Sequence, residues 1–85
     1  MEIIKTSDFN LSLGNLPNDV QRLYIIQEKR FKDDWRDPRL HTKKLKGETA
    51  AFSFRITREY RVLFMFVASE TALFVTIGHR KDVYR

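Results

Sequence analysis

The chain is expected to fold as one α+β domain, with helices in its first half and an antiparallel meander in its second. Three observations predict this. Phe52, Phe54 and Ile56 alternate with Ser53 and Arg55, the period-two pattern of a strand with one buried face. Two more aromatic and β-branched runs follow, Tyr60 to Val67 and Thr71 to Ile77, set off by the polar breaks Thr57-Arg58-Glu59 and Ala68-Ser69-Glu70. Upstream, at about 100° per residue, Val20, Leu23, Tyr24, Phe31 and Trp35 fall within one arc of about 120°. That is the apolar stripe of a helix packed on a sheet.

The elements follow in order. Glu2 to Lys5 is a short strand carrying Ile3 and Ile4. Ser7 or Asp8 caps a brief helix with Phe9, Leu11 and Leu13, which stops at Gly14-Asn15. Pro17 fits the first turn of the longer helix, and Asp37-Pro38 ends it, because the residue before proline avoids helical backbone angles. Ile25 and Ile26 fall outside the stripe and either widen the buried face or form part of a docking surface. The linker from Arg39 to Thr49 is basic and carries His41, Lys43, Lys44, Lys46 and Gly47.

Composition bounds the function. The 85 residues suffice for a single domain, 1–85, of modest stability, since a chain of this size buries only ~60–65% of its unfolded surface. With no cysteine, a disulfide framework and a thiolate metal site are both excluded. Only His41 and His79 offer imidazole, so neither a metal nor another cofactor is expected. Glu2, Lys5 and Asp8 interrupt the N-terminus and no long apolar run follows, which points to a cytoplasmic chain without a membrane partner. The formal net charge of +5 is unevenly spread. Residues 1–38 hold six Lys/Arg against seven Asp/Glu, whereas residues 39–85 hold ten against four. Such a one-sided positive field steers polyanions.

The first hairpin adds a detail. With the three-residue break as its loop, Ile56 pairs with Tyr60 and Arg55 stands opposite Arg61, both side chains on the wet face. Like charges directly opposite destabilise a sheet, so either a phosphate sits between them or the heads splay into water with Glu59 as counter-ion. The return over Ala68 to Glu70 brings Gly78, His79 and Arg80 to the sheet end that carries Arg61. Basic groups therefore converge from two runs.

The ordered set Asp37-Pro38-Arg39-Leu40, Lys44-Leu45-Lys46-Gly47, Phe52-Ser53-Phe54-Arg55-Ile56, Tyr60-Arg61-Val62-Leu63 and Gly78-His79-Arg80-Lys81-Asp82-Val83-Tyr84 resembles the RelE/ParE toxin superfamily. The resemblance covers nearly the whole chain. It implies two N-terminal helices packed on a twisted antiparallel sheet and a toxin of a type II toxin-antitoxin pair neutralised by a cognate antitoxin protein; as a departure, the C-terminal helix that some members carry after the position of Tyr84 is not expected here. It further implies an endoribonuclease that cuts messenger RNA on the ribosome; the alternative within the superfamily is a gyrase-inhibiting toxin that lacks the nuclease residues. Arg55, Arg61, Arg80 and Tyr84 stand at the positions that line the concave face in RelE-like nucleases. Ser53 replaces a lysine of the RelE type, and Arg80 replaces the acid-acting histidine of the YafQ type, with His79 displaced by one.

Chemistry assigns provisional roles to these side chains. Metal-free RNA cleavage needs the 2′-hydroxyl deprotonated, the phosphorane stabilised and the 5′-oxygen protonated. Arg55 and Arg61 suit the phosphorane, because guanidinium forks match phosphate oxygens. Tyr84 suits base stacking or proton transfer, and His79 is the natural acid or base of the C-terminal motif on chemical grounds. Lys43, Lys44, Lys46 and Lys81 are the expected RNA-binding residues.

Overall fold

The computed structural model describes residues 1–47 and 50–84. Among them the order is β1 (Glu2–Lys5), α1 (Ser7–Gly14), α2 (Asn18–Asp33), a 3-10 turn (Pro38–Leu40), β2 (Lys43–Lys44), β3 (Ala51–Arg55), β4 (Tyr60–Ala68), β5 (Thr71–His79) and α3 (Arg80–Val83). The strands form one open sheet in the order β1-β5-β4-β3-β2. The successive pairs from β2 to β5 are antiparallel, whereas β1 runs parallel to β5, with Ile3 opposite Ala72 and Ile4 opposite Leu73. This α+β architecture is the one expected. The parallel edge pair is an addition, made possible because the chain crosses both helices before it enters the sheet. Glu48 and Thr49, the end of the basic linker, lie outside the described residues.

The local signals act with some displacement. Thr6 rather than Ser7 or Asp8 caps α1: its hydroxyl accepts from Phe9 N at 3.0 Å and donates to Val75 O at 2.8 Å, tying the helix start to β5. Pro17 stands just before α2, whose first residue is Asn18. α2 ends at Asp33, four residues before Asp37, so Trp35 lies beyond the helix and packs its ring on Phe52 and Phe66. The buried row on α2 is Val20, Tyr24, Gln27 and Phe31. Leu23, expected inside, is exposed, because the 20-24-27-31 spacing sets the contact line one position away.

The core lies between α1, α2 and one face of the sheet. Phe31 is fully buried there, its ring centroid 4.9 to 5.3 Å from those of Phe64, Phe74 and Phe54. Aromatic pairs at such spacings add roughly 0.5–1.5 kcal/mol beyond their buried area. Tyr24 donates to Glu28, which also pairs with Lys5 of β1 and so joins helix to edge strand. Burial pushes the Tyr24 phenol up, and Glu28 adds to that effect. For Glu28 itself burial acts upward, but the hydrogen bonds from Lys5 and Tyr24 outweigh it and hold the carboxyl below its usual range.

The face of the sheet away from α1 and α2 positions the site. Register puts Lys43, Ser53, Leu63 and Thr76 in one row across it, and Arg55, Arg61 and Gly78 in the next. α3 folds back over this face against β4 and β5. Gly78 leaves room for that approach: a β-carbon there would stand 3.3 Å from Val83 Cγ2. The expected fold has two helices, and α3, a single turn before Tyr84, is a third.

Candidate functional site

α3 is clamped at both ends. At its start the His79 ring nitrogen Nδ1 accepts from Lys81 N at 3.1 Å, the role of an N-cap. His79 Nε2 lies 3.0 Å from the Glu59 carboxylate, Arg80 N donates to Glu59 O at 2.7 Å, and Arg80 Nε lies 3.7 Å from the same carboxylate. Since Nδ1 accepts, the proton of a neutral ring is on Nε2, facing Glu59. Beyond the far end, Tyr84 donates its phenol hydrogen to Ser53 Oγ at 3.1 Å. Ser53 is only 1% exposed. Thus the last turn bridges the β3–β4 turn and the middle of β3.

Under that bridge runs a groove of about 380 Å³, lined by the apolar Leu45, Leu63 and Val83 and by Lys43, Lys46 and Tyr84. Lys43 Nζ lies 5.7 Å from the Tyr84 ring centroid, a cation-π distance. Tyr84 is 42% exposed, so part of its ring meets solvent. The groove therefore offers two ammonium groups, an aromatic plane and a phenol. That combination suits a base stacked on the ring with its phosphate on the lysines.

The expected site residues divide over this geometry. Arg55 stands opposite Arg61 in the register, as the hairpin arithmetic required. Arg61 is not the exposed charge expected: it is 7% exposed, and Nη1 donates to Thr57 O at 2.9 Å and to Arg58 O at 2.6 Å. The like-charge problem is thereby eased, because one guanidinium is spread over two carbonyls of its own turn. Thr57 Oγ1 completes that turn by accepting from Glu59 N and Tyr60 N. His79 shares the helix-bearing face with Tyr60 and lines a separate hollow with Asn15, Leu16 and Pro17. It does not reach the groove that Tyr84 covers. Arg80 and Lys81 are exposed on α3. Lys43 and Lys46 line the groove; Lys44 does not, and with Lys43, Trp35 and Phe52 it lines a second hollow.

Two participants had no clear sequence signal. Ser53 occupies an alternate position of β3 and reads as a wet-face residue until Tyr84, 31 residues away, covers it. Glu59, weighed as a counter-ion for Arg55 and Arg61, instead meets His79 and Arg80. Among the described residues no group of three or more potential metal ligands is gathered.

No family model and no curated protein sequence matches the chain. Solved structures do match it end to end. The RelB-RelE antitoxin-toxin complex from Methanococcus jannaschii is similar with a TM-score of 0.77 and 22% identity, over 95% of this chain and 94% of that one. The YoeB/ParE toxin from Agrobacterium tumefaciens aligns with a TM-score of 0.78 and 15% identity, over 94% and 99%. The toxin-antitoxin complex RelBE2 from Mycobacterium tuberculosis aligns with a TM-score of 0.66 and 26% identity, over 93% and 96%. The chain thus shares its fold with these RelE, YoeB/ParE and RelBE2 toxins.

Proposed function

We propose that this chain is the toxin of a type II toxin-antitoxin pair and acts as a metal-independent, ribosome-dependent endoribonuclease on translated messenger RNA. The observation that carries the reading is Tyr84, held by Ser53 and close to Lys43 over a lysine-lined groove on the face away from α1 and α2. In this reading Lys43 and Lys46 hold phosphates and Tyr84 stacks on the base beside the cleaved bond. Arg55, on the same face, stabilises the phosphorane, and Arg61 keeps the hairpin in register beneath it. Arg80 and Lys81 extend the positive rim toward ribosomal RNA. The groove holds few groups fit for proton transfer, and the ribosome supplies the remainder of the site.

A gyrase-inhibiting toxin is the second reading, favoured by one observation: Arg61 is occupied by carbonyls and His79 faces away from the groove. A neutralising antitoxin is part of both readings. RelB-RelE and RelBE2 were solved as toxin-antitoxin complexes, and here Leu11, Ile25 and Ile26 leave apolar surface exposed on the helices. Induced expression followed by mapping of RNA ends separates the two. Cuts confined to translated messages are expected; intact messages with trapped gyrase complexes overturn the nuclease in favour of the inhibitor.

A further inference from the structure

A second set of cations is gathered at the far end of β3 by one buried amide. Gln27 Nε2 donates to Arg39 O at 3.0 Å and to Arg55 O at 2.8 Å, fixing the 3-10 turn against the start of the β3–β4 hairpin loop. Its Oε1 accepts from Arg30 Nη1 at 2.9 Å, which sets a further positive charge beside them. Between the two fixed segments lies a hollow of about 400 Å³ lined by Gln27, Arg39, His41, Arg55, Ile56 and Arg58 among others. No carboxylate lines it among the described residues. The nearby Asp37 is engaged by Arg39 at 2.7 Å, while Arg55 and Arg58 form no ion pair among the described residues. His41 is held at φ 48, ψ 44, in the left-handed region, by the end of the turn. Donors thus come from two segments whose separation a third residue sets.

We propose that this hollow binds a phosphate of a single-stranded RNA backbone, as an anchorage separate from the Tyr84 groove. The hollow is rich in guanidinium groups, which grip phosphate oxygens in pairs. Arg55, at its edge, shares a sheet face with the groove, and β3 joins the two: Ala51 lines one and Arg55 the other. Arg55 stands two strand steps of ~3.3 Å, about 7 Å, from Ser53, which holds Tyr84, or about two stacked nucleotides at ~3.4 Å each; it serves the bond beside Tyr84, and Arg39, His41 and Arg58 hold the next phosphate along. One strand therefore reaches both. An acidic peptide would use the guanidinium groups but leave the stacking surface of Tyr84 idle. The inference rests on the nucleic-acid part of the proposed function and not on cleavage.

The test is binding of a fluorescent 2′-O-methyl uridine octamer, which lacks the attacking hydroxyl, across a salt series. Arg58→Gln is expected to weaken binding several-fold and to reduce the slope of log K against log salt by about 0.7, the value for one single-strand phosphate contact. Arg58→Glu should weaken it further, and His41→Asn, which tolerates the left-handed backbone, should weaken it without changing the melt. Arg22→Gln removes the same charge from the exposed flank of α2 and should leave the slope unchanged. The Arg58 side chain is exposed and the carbonyl that Arg61 uses is retained, so the fold survives these changes. Equal losses in Arg58→Gln and Arg22→Gln would reduce the effect to net charge and overturn the site. Displacement of the octamer by polyglutamate at equal charge concentration would make the hollow a peptide-docking patch and overturn it as well. If messages stay intact in cells while the Arg58 slope effect persists, cleavage falls and the anchorage stands.

Discussion

Arg61 shows how one side chain serves a strand and a turn together. An arginine inside an apolar strand is costly unless its donors are used, and here the two carbonyls that would otherwise point into a tight turn accept them. Hydrogen bonds from a charged group contribute about 1.5–3 kcal/mol each, and the turn is partly wet, so Arg61→Ala should cost about 2–3 kcal/mol in all. For a domain of this size that lowers the melting temperature by roughly 10–20 °C. Arg61→Lys should recover part of the loss, because one ammonium reaches one carbonyl. Thermal melts check this, and cleavage assays on the folded fraction separate stability from catalysis. A silent melt would show that the turn stands without the arginine. Asp37 gives a pH prediction at the same scale. The Arg39 side chain, which donates to its carboxylate at 2.7 and 3.1 Å, and then the Arg39 backbone N–H, lower its pKa to about 2. The folded value lies below the unfolded one of about 3.9. Its contribution is therefore present above about pH 4 and is lost as pH falls through about 2. Asp37→Asn should flatten the stability profile over that window, and carboxyl titration by NMR should find the low value.

At the scale of elements, α3 has too few turns to stand alone and depends on its anchors. His79 caps it and leans on Glu59, Val83 sits on Gly78, and Tyr84 is tied to Ser53. His79→Ala should loosen the turn at a cost of about 1 kcal/mol, as for other lost caps. It should also reduce cleavage by releasing Tyr84. His79→Asn distinguishes positioning from proton transfer, since asparagine caps a helix but does not titrate. Cleavage restored by asparagine assigns His79 to positioning; asparagine as inactive as alanine assigns it to the chemistry. The same turn marks where the sequence stops being legible. The three long strands and the Arg55-Arg61 register were readable, because alternation and a three-residue loop are local. The two helices were readable from periodicity and caps, to within a few residues at the end of α2. The burial of Gln27 in place of Leu23 was not, because a buried amide is justified only by the carbonyls that meet it. One of these belongs to Arg55, 28 residues on. Nor were the Ser53–Tyr84 bond and the Glu59 clamp, which depend on α3 folding back. Four residues carry no period from which that could be read.

For the whole molecule, a small core must support both proposed RNA-binding surfaces, and its stability is set by few residues. At about 0.05–0.15 kcal/mol per residue a domain of 85 residues holds roughly 4–13 kcal/mol. Phe31 meets Phe54, Phe64 and Phe74 where α2 crosses the sheet, so removing it empties the centre rather than an edge. Phe31→Ala should cost about 3–5 kcal/mol and leave a large part of the chain unfolded at 37 °C. Phe31→Leu keeps most of the volume and should cost about 1–2 kcal/mol. Leu11, 72% exposed, should be nearly silent as Leu11→Ala, within about 0.5 kcal/mol. A partner that binds only the folded chain adds about 2.7 kcal/mol at a hundredfold excess over Kd. The proposed antitoxin at that excess should therefore raise the melt of Phe31→Leu to that of the unbound native chain or above. That gain should shrink with added salt if the partner covers the basic face, and persist if it covers only Leu11, Ile25 and Ile26 on the helices. Melting curves of both proteins with and without partner, at low and high salt, measure it. A Phe31→Leu chain that gains nothing from the partner, while still binding it, would mean that the partner holds the unfolded chain as tightly as the folded one.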